Sequence, residues 1–208
     1  MSEANNHTTF LAEKVAHYEK SGWEAYYDRN WVRAFLLLVK LNREAFHMSL
    51  PTALSAALDT VRATIAFAPL EGNDIRGATQ YLVRFFEKAR RSMDIEADAD
   101  QLAELEMDYW IVHRRLAIQR LQAPDVDNIE PMIASLTRLH VALFKGSPEA
   151  MRRSAEWRAR AAETVDRITG NYSDDVASDW ERVESYLCNA YRTIQRDAEK
   201  QEDVFVRE

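Results

Sequence analysis

The stretch Trp31-Val-Arg-Ala-Phe-Leu-Leu-Leu-Val-Lys-Leu-Asn-Arg-Glu-Ala-Phe-His-Met48 decides how the fold is read. Wound as an α-helix, at about 100° per residue, it gathers Arg33, Lys40, Arg43, Glu44 and His47 into one narrow wedge. Every other position except Asn42 is apolar. A helix with so little polar surface needs other helices around it. The expectation is a bundle in which this helix is central.

Working outward, the sequence keeps giving helix signals. Residues 1–8 are polar and read as a disordered tail. Leu11, Val15, Tyr18, Gly22 and Ala25 repeat at heptad spacing, and Ser21-Gly22-Trp23-Glu24 has the form of a capping box. That predicts a break at Gly22 and a short second piece carrying Trp23, Tyr26 and Tyr27. Asn30 is placed to cap the Trp31 helix, and Ser49 with Pro51 opens the next. There Leu54, Ala57, Leu58, Val61, Ile65 and Ala68 form the expected inward stripe, while Ala53, Ala56 and Ala63 keep another face thin, so that a second helix can approach closely. Asp74 caps a fourth helix with Ile75, Ala78, Leu82, Phe85, Ala89 and Met93 inward.

The acids of 94–100 lack the central Gly and closing Glu of a calcium loop and read instead as caps for helix five, residues 101–122. Residues 123–127 form a loop, and helix six covers 128–145. Ser147-Pro148 starts helix seven, whose pairs Glu149/Arg153, Glu156/Arg160 and Glu163/Arg167 place it on the outside. Helix eight begins near Ser173 with Val176, Trp180, Val183, Leu187, Ala190 and Ile194 inward. The expected fold is all-α: a single-domain antiparallel bundle of about eight helices over 9–195, followed by a charged tail over 196–208.

Composition agrees. Gly and Pro number five each in 208 residues, too few for a turn-rich sheet protein. The net charge of −7 repels phosphate backbones and argues against nucleic acid, although Arg84, Lys88 and Arg91 share a face. The longest apolar run, Ala34 to Val39, is too short for a membrane span. The N-terminal residues lack the pattern of a signal peptide, and the lone Cys188 fits a reduced thiol, so a cytoplasmic protein is expected.

No Gly-rich phosphate loop, nucleophile elbow, His-Glu-x-x-His or Cys-x-x-Cys is present. The one Glu-x-x-His, Glu44 to His47, lies in the polar wedge beside Lys40 and reads as a solvated stripe. Helix five is more promising. Glu106 and His113 fall inside its apolar arc with Tyr109, about 10 Å apart along the axis. Across the 123–127 loop, His140 of helix six should lie level with Tyr109. Glu106, Tyr109, His113 and His140 are therefore expected to converge, as a ligand or metal site or as a hydrogen-bonded core network. Asn42 reads as a register device. The aromatics Trp23, Tyr26, Tyr27 and Trp31 form a candidate partner or ligand surface, or part of the core.

In general shape the pattern resembles ferritin-like and haem-oxygenase-like bundles. That likeness is one of fold alone, and the ferritin-like pair of inward Glu-x-x-His motifs is missing. Three readings of function follow. The first is a cytoplasmic accessory or scaffold protein acting through a protein partner or a homo-oligomer, without catalysis of its own. The second is an oxidoreductase holding iron, manganese or haem between helices five and six. The third is a regulator that binds a small ligand. No cofactor is assigned by motif.

Overall fold

The computed structural model describes residues 10–123 and 128–205, with side chains through Lys200. Eight α-helices carry it: α1 Ala12–Tyr27, α2 Trp31–Ala45, α3 Leu50–Phe67, α4 Ile75–Ser92, α5 Ala99–Gln122, α6 Glu130–Phe144, α7 Pro148–Thr169 and α8 Val176–Phe205. No strand occurs among the described residues.

Local chemistry sets the starts. The side chains of Asn30, Ser49, Asp74, Asp98 and Ser147 each accept from the backbone N–H three residues on. Each satisfies a donor the helix itself leaves orphaned. The short connections make neighbours antiparallel. Each helix packs on the next, and α8 returns to α1, so the eight close into a ring. One end is filled by Phe10, whose ring meets Phe144 and Tyr191 edge-on at 6.4 and 5.5 Å, among Val15, Met151 and Ile194.

The ring overturns the central placing of α2. Its principal neighbours are α1 and α3, and only Leu37, Val39 and Asn42 are buried along it. Trp31, Val32 and Leu36 are 58%, 74% and 52% exposed. A ring member needs one buried face, so the surplus of apolar residues is left outside.

On α3 the thin alanine face is closely approached by its neighbours, as expected, but the larger side chains of the expected inward stripe are turned outward. Ala53, Ala56, Ala57 and Ala63 are fully buried, while Leu54, Leu58 and Ile65 are 37%, 47% and 68% exposed. Alanine faces let helix backbones approach closely, and close approach here prevails over burial of the larger side chains. Asp59 sits on the same inward face, held by Lys88 of α4.

Three smaller corrections follow. Helix α1 runs unbroken through Gly22, with Ser21 buried inside it and Glu24 paired to Lys20 at 3.1 Å. Its inward face is Ala12, Val15, Ala16, Glu19 and Ala25, and Leu11 is exposed. Helix α7 does show Arg160 to water, bonded to Glu156 at 2.8 Å. Its other face is nevertheless buried on α6 and α8 through Met151, Ala155, Ala159, Ala162 and Val165. Helix α8 continues through the stretch expected to be a charged tail. Asp197 accepts from both the backbone N–H and the hydroxyl of Ser147 at 2.7 Å, tying α8 to the start of α7. The expected N-terminal tail and most of the 123–127 loop lie outside the described residues.

Candidate functional site

The interior polar groups are organised by α7. Arg158 shares the inward alanine face of that helix with Ala155, Ala159 and Ala162. Its guanidinium grips Glu19 of α1 with two contacts, at 2.9 and 2.6 Å, and donates to the Tyr191 hydroxyl of α8 at 3.1 Å. Tyr191 in turn donates to Glu19. The Trp23 ring lies 5.9 Å from the same guanidinium. A buried ion pair with good geometry and further hydrogen bonds thus links α1, α7 and α8.

Glu106 and His140 face this cluster. Glu106 accepts from Trp110 Nε1, one turn on, at 2.7 Å. Burial raises its carboxyl pKa, against the pull of Arg158. His140 is 5% exposed, its ring is edge-on to Phe144 at 5.8 Å, and its Nδ1 has no hydrogen-bond partner. Burial, and then the Arg158 charge, push its pKa down to about 3, so the imidazole is neutral at pH 7.

Further along α5, His113 stacks on Tyr109 with centroids 5.8 Å apart and rings nearly parallel at 8°. Its Nε2 lies 2.9 Å from Asp166 Oδ1 of α7, and Asp166 Oδ2 accepts from Arg120 at 2.6 Å. Asp166 and Arg120 are both buried.

Glu106, Tyr109 and His113 therefore share one face of α5, as their spacing requires, but the four expected residues do not converge on a metal. Among the described residues no three His, Cys, Asp or Glu side chains are placed to hold one. The physical reason is α7: its Asp166 takes His113, and its Arg158 lies beside Glu106 and His140 with a positive charge. The Glu44-x-x-His47 pair is also separated. Helix α2 ends at Ala45, Glu44 accepts from the Leu11 N–H at 3.3 Å, and His47 turns out of the helix at φ 51°. Arg158, Asp166, Glu19 and Tyr191 went unnoticed in the sequence. A signal existed for two of them: Arg158 and Asp166 fall at three-four spacing among Ala155, Ala159, Ala162 and Val165.

The aromatic cluster divides. Trp23 turns inward to Arg158, whereas Tyr26, Tyr27 and Trp31 stay at the surface, with Tyr26 edge-on to the other two at 5.2 and 5.5 Å. They adjoin an outer face built by α2 and α3. The two helices are antiparallel across a short connection, so Val32 and Leu36 lie level with Leu58 to Ile65. The exposed charges of this helix pair are Arg33, Lys40, Arg43 and Arg62. Its two acids are withdrawn: Asp59 is buried on Lys88, and half-buried Glu44 turns toward Lys14 of α1. An apolar face of this kind, framed by one sign of charge, can hold a complementary surface.

Comparison with known protein families, curated proteins and solved structures finds no match to this chain.

Proposed function

We propose that the protein acts as an accessory or scaffold protein, without catalysis of its own, by docking another protein on the outer face of α2 and α3. One observation carries the reading: α3 packs its alanines inward and leaves Leu54, Leu58 and Ile65 in water. Contiguous apolar surface on a folded chain marks an interaction site far more often than isolated exposed leucines do. The absence of a three-ligand cluster among the described residues weakens the metal reading by comparison. Among the described residues, no helix is long and apolar enough to cross a membrane. We place the protein in the cytoplasm on the strength of its single half-buried thiol, Cys188, which suits a reducing compartment.

The test is site-specific photo-crosslinking in the native host, with the crosslinker at position 58 or 65 and, as control, at position 160 on the outer side of α7. A discrete adduct confined to positions 58 and 65 supports docking on this face. Equal labelling at all three positions, or none, refutes it.

A second reading has its own support. His140 Nδ1 on α6 and Ser154 Oγ on the adjacent α7 are buried without hydrogen-bond partners. A small ligand lodged among the helices would satisfy such groups. Thermal-shift screening against metabolites tests it, and no stabilisation by any of them counts against it.

A further inference from the structure

Resting on the docking reading above, we infer that the occupant of the α2–α3 face is an amphipathic helix of another protein, its apolar stripe flanked by Asp and Glu. Charge is the first argument. The chain as a whole is at −7, yet residues 31–92 hold nine Lys and Arg against five Asp and Glu. On α2 and α3 every exposed charge is positive, and neither Arg33 nor Arg43 has an acidic partner among the described residues. A partner that buries Leu58 must set its own side chains beside these cations, and acids are the residues that gain by it.

Shape is the second argument. Leu54, Leu58, Val61 and Ile65 recur at four and three residues, the spacing of one helical stripe. They span about 16 Å at about 1.5 Å per residue, enough for three turns of a facing helix. Val32 and Leu36 of α2 supply the second wall.

Two other occupants fit less well. A second copy docked face to face would bring two faces of the same positive charge together. This chain's own residues 1–9, Met-Ser-Glu-Ala-Asn-Asn-His-Thr-Thr, carry no apolar stripe. An anionic membrane shares the charge match, and the vesicle arm of the experiment separates it from a helix.

The experiment uses the full chain and three probes: a 21-residue helical peptide with Leu at a and d flanked by Glu, the same peptide with Lys replacing Glu, and vesicles of phosphatidylcholine with or without phosphatidylglycerol. Binding is read by fluorescence anisotropy for the peptides and by sedimentation for the vesicles. Light scattering gives the oligomeric state. The inference expects the Glu peptide to bind at least about tenfold more tightly than the Lys peptide, with the gap closing at high salt. Arg43→Glu with Arg62→Glu should reverse the preference, and Leu58→Glu should abolish binding of both peptides. Equal affinity for the two peptides overturns the acidic partner, whereas crosslinks at position 58 would leave the docking reading standing. Sedimentation with anionic vesicles but no peptide binding gives the face to a membrane. A dimer dispersed by Leu58→Glu gives it to a second copy. If no probe binds and no crosslink forms, both the inference and the docking reading fall.

Discussion

Replacing His140 with Leu tests the interior electrostatics most directly. The imidazole is 5% exposed and its Nδ1 has no partner. Its pKa falls from 6.5 to about 3, first because burial disfavours the charged form and then because Arg158 repels it. The unfolded chain protonates at the ordinary value, so it gains a proton that the folded chain refuses. Above pH 6.5 the neutral imidazole therefore carries no penalty from protonation, and stability is lost as pH falls from 6.5 toward 3. At about 1.4 kcal/mol per pH unit, the loss is of order 5 kcal/mol over the whole interval and roughly half of that by pH 4.5. Leucine is of similar volume and does not titrate. Urea unfolding followed by circular dichroism at pH 7.5, 6.5, 5.5 and 4.5 measures both proteins. The variant should equal or exceed the wild type at pH 7.5, because its substitution removes an unsatisfied atom and no hydrogen bond at Nδ1. Below pH 6.5 its advantage should widen by about 1.4 kcal/mol per pH unit. A difference that stays flat across this range would refute a buried neutral imidazole.

Three further outcomes are expected. Burial raises the Glu106 carboxyl pKa, so the folded chain keeps a proton that the unfolded chain releases. Its favourable contribution is complete below 4.5 and is lost as pH rises through the folded value. Glu106→Gln, which can still accept from Trp110, should melt higher than wild type at pH 8 and level with it at pH 4. Arg158→Met strands Glu19 in the interior and should cost about 3–5 kcal/mol in urea unfolding, and adding Glu19→Leu should recover most of it; a single-variant cost below about 1 kcal/mol would contradict the buried pair. On α3, Ala56→Leu should destabilise by about 1–3 kcal/mol through overpacking, whereas Leu58→Ala should cost under about 1 kcal/mol. The reverse order in urea midpoints would mean that the leucine side faces inward.

What the sequence made legible was local. Asn30, Ser49, Asp74 and Ser147 announce helix starts because a cap acts over three residues and needs no distant partner. The number and class of elements follow from those starts together with the scarcity of Gly and Pro. The orientation of α3 was only half legible: the alanine face announced a close helix neighbour, but a helical wheel sorts residues by polarity, and both of its candidate faces are apolar. Which one turns inward is decided by volume: a closed ring brings α3 near α2 and α4, and alanines fit where leucines would hold the helices apart. The same limit displaced α2. Its apolar residues exceed what one face against α1 and α3 can bury, and nothing in the sequence limits the core available to it. At the candidate site, Glu106, Tyr109 and His113 were correctly grouped on one helix because i, i+3 and i+7 are fixed by helix geometry. Their partners Arg158 and Asp166 stand more than forty residues away on a helix whose outward Glu–Arg pairs drew attention to its other face.

The two departures on α2 and α3 have a common energetic consequence. A chain that buries Ala53, Ala56, Ala57 and Ala63 while exposing Leu54, Leu58 and Ile65 gives up apolar burial in the isolated fold. Burying a whole Leu or Ile side chain is worth about 1.5–3 kcal/mol, so covering the exposed portions of these three would add roughly 3 kcal/mol. Turning the leucines inward would supply that stabilisation without a partner, but only by separating α3 from its neighbours and losing the tight alanine contacts. The observed arrangement keeps those contacts and leaves the larger side chains available to whatever docks. By mass action, anything that binds only the folded chain also stabilises it. The stability missing from the isolated ring and the affinity of its outer face for a partner are thus two measures of the same uncovered side chains.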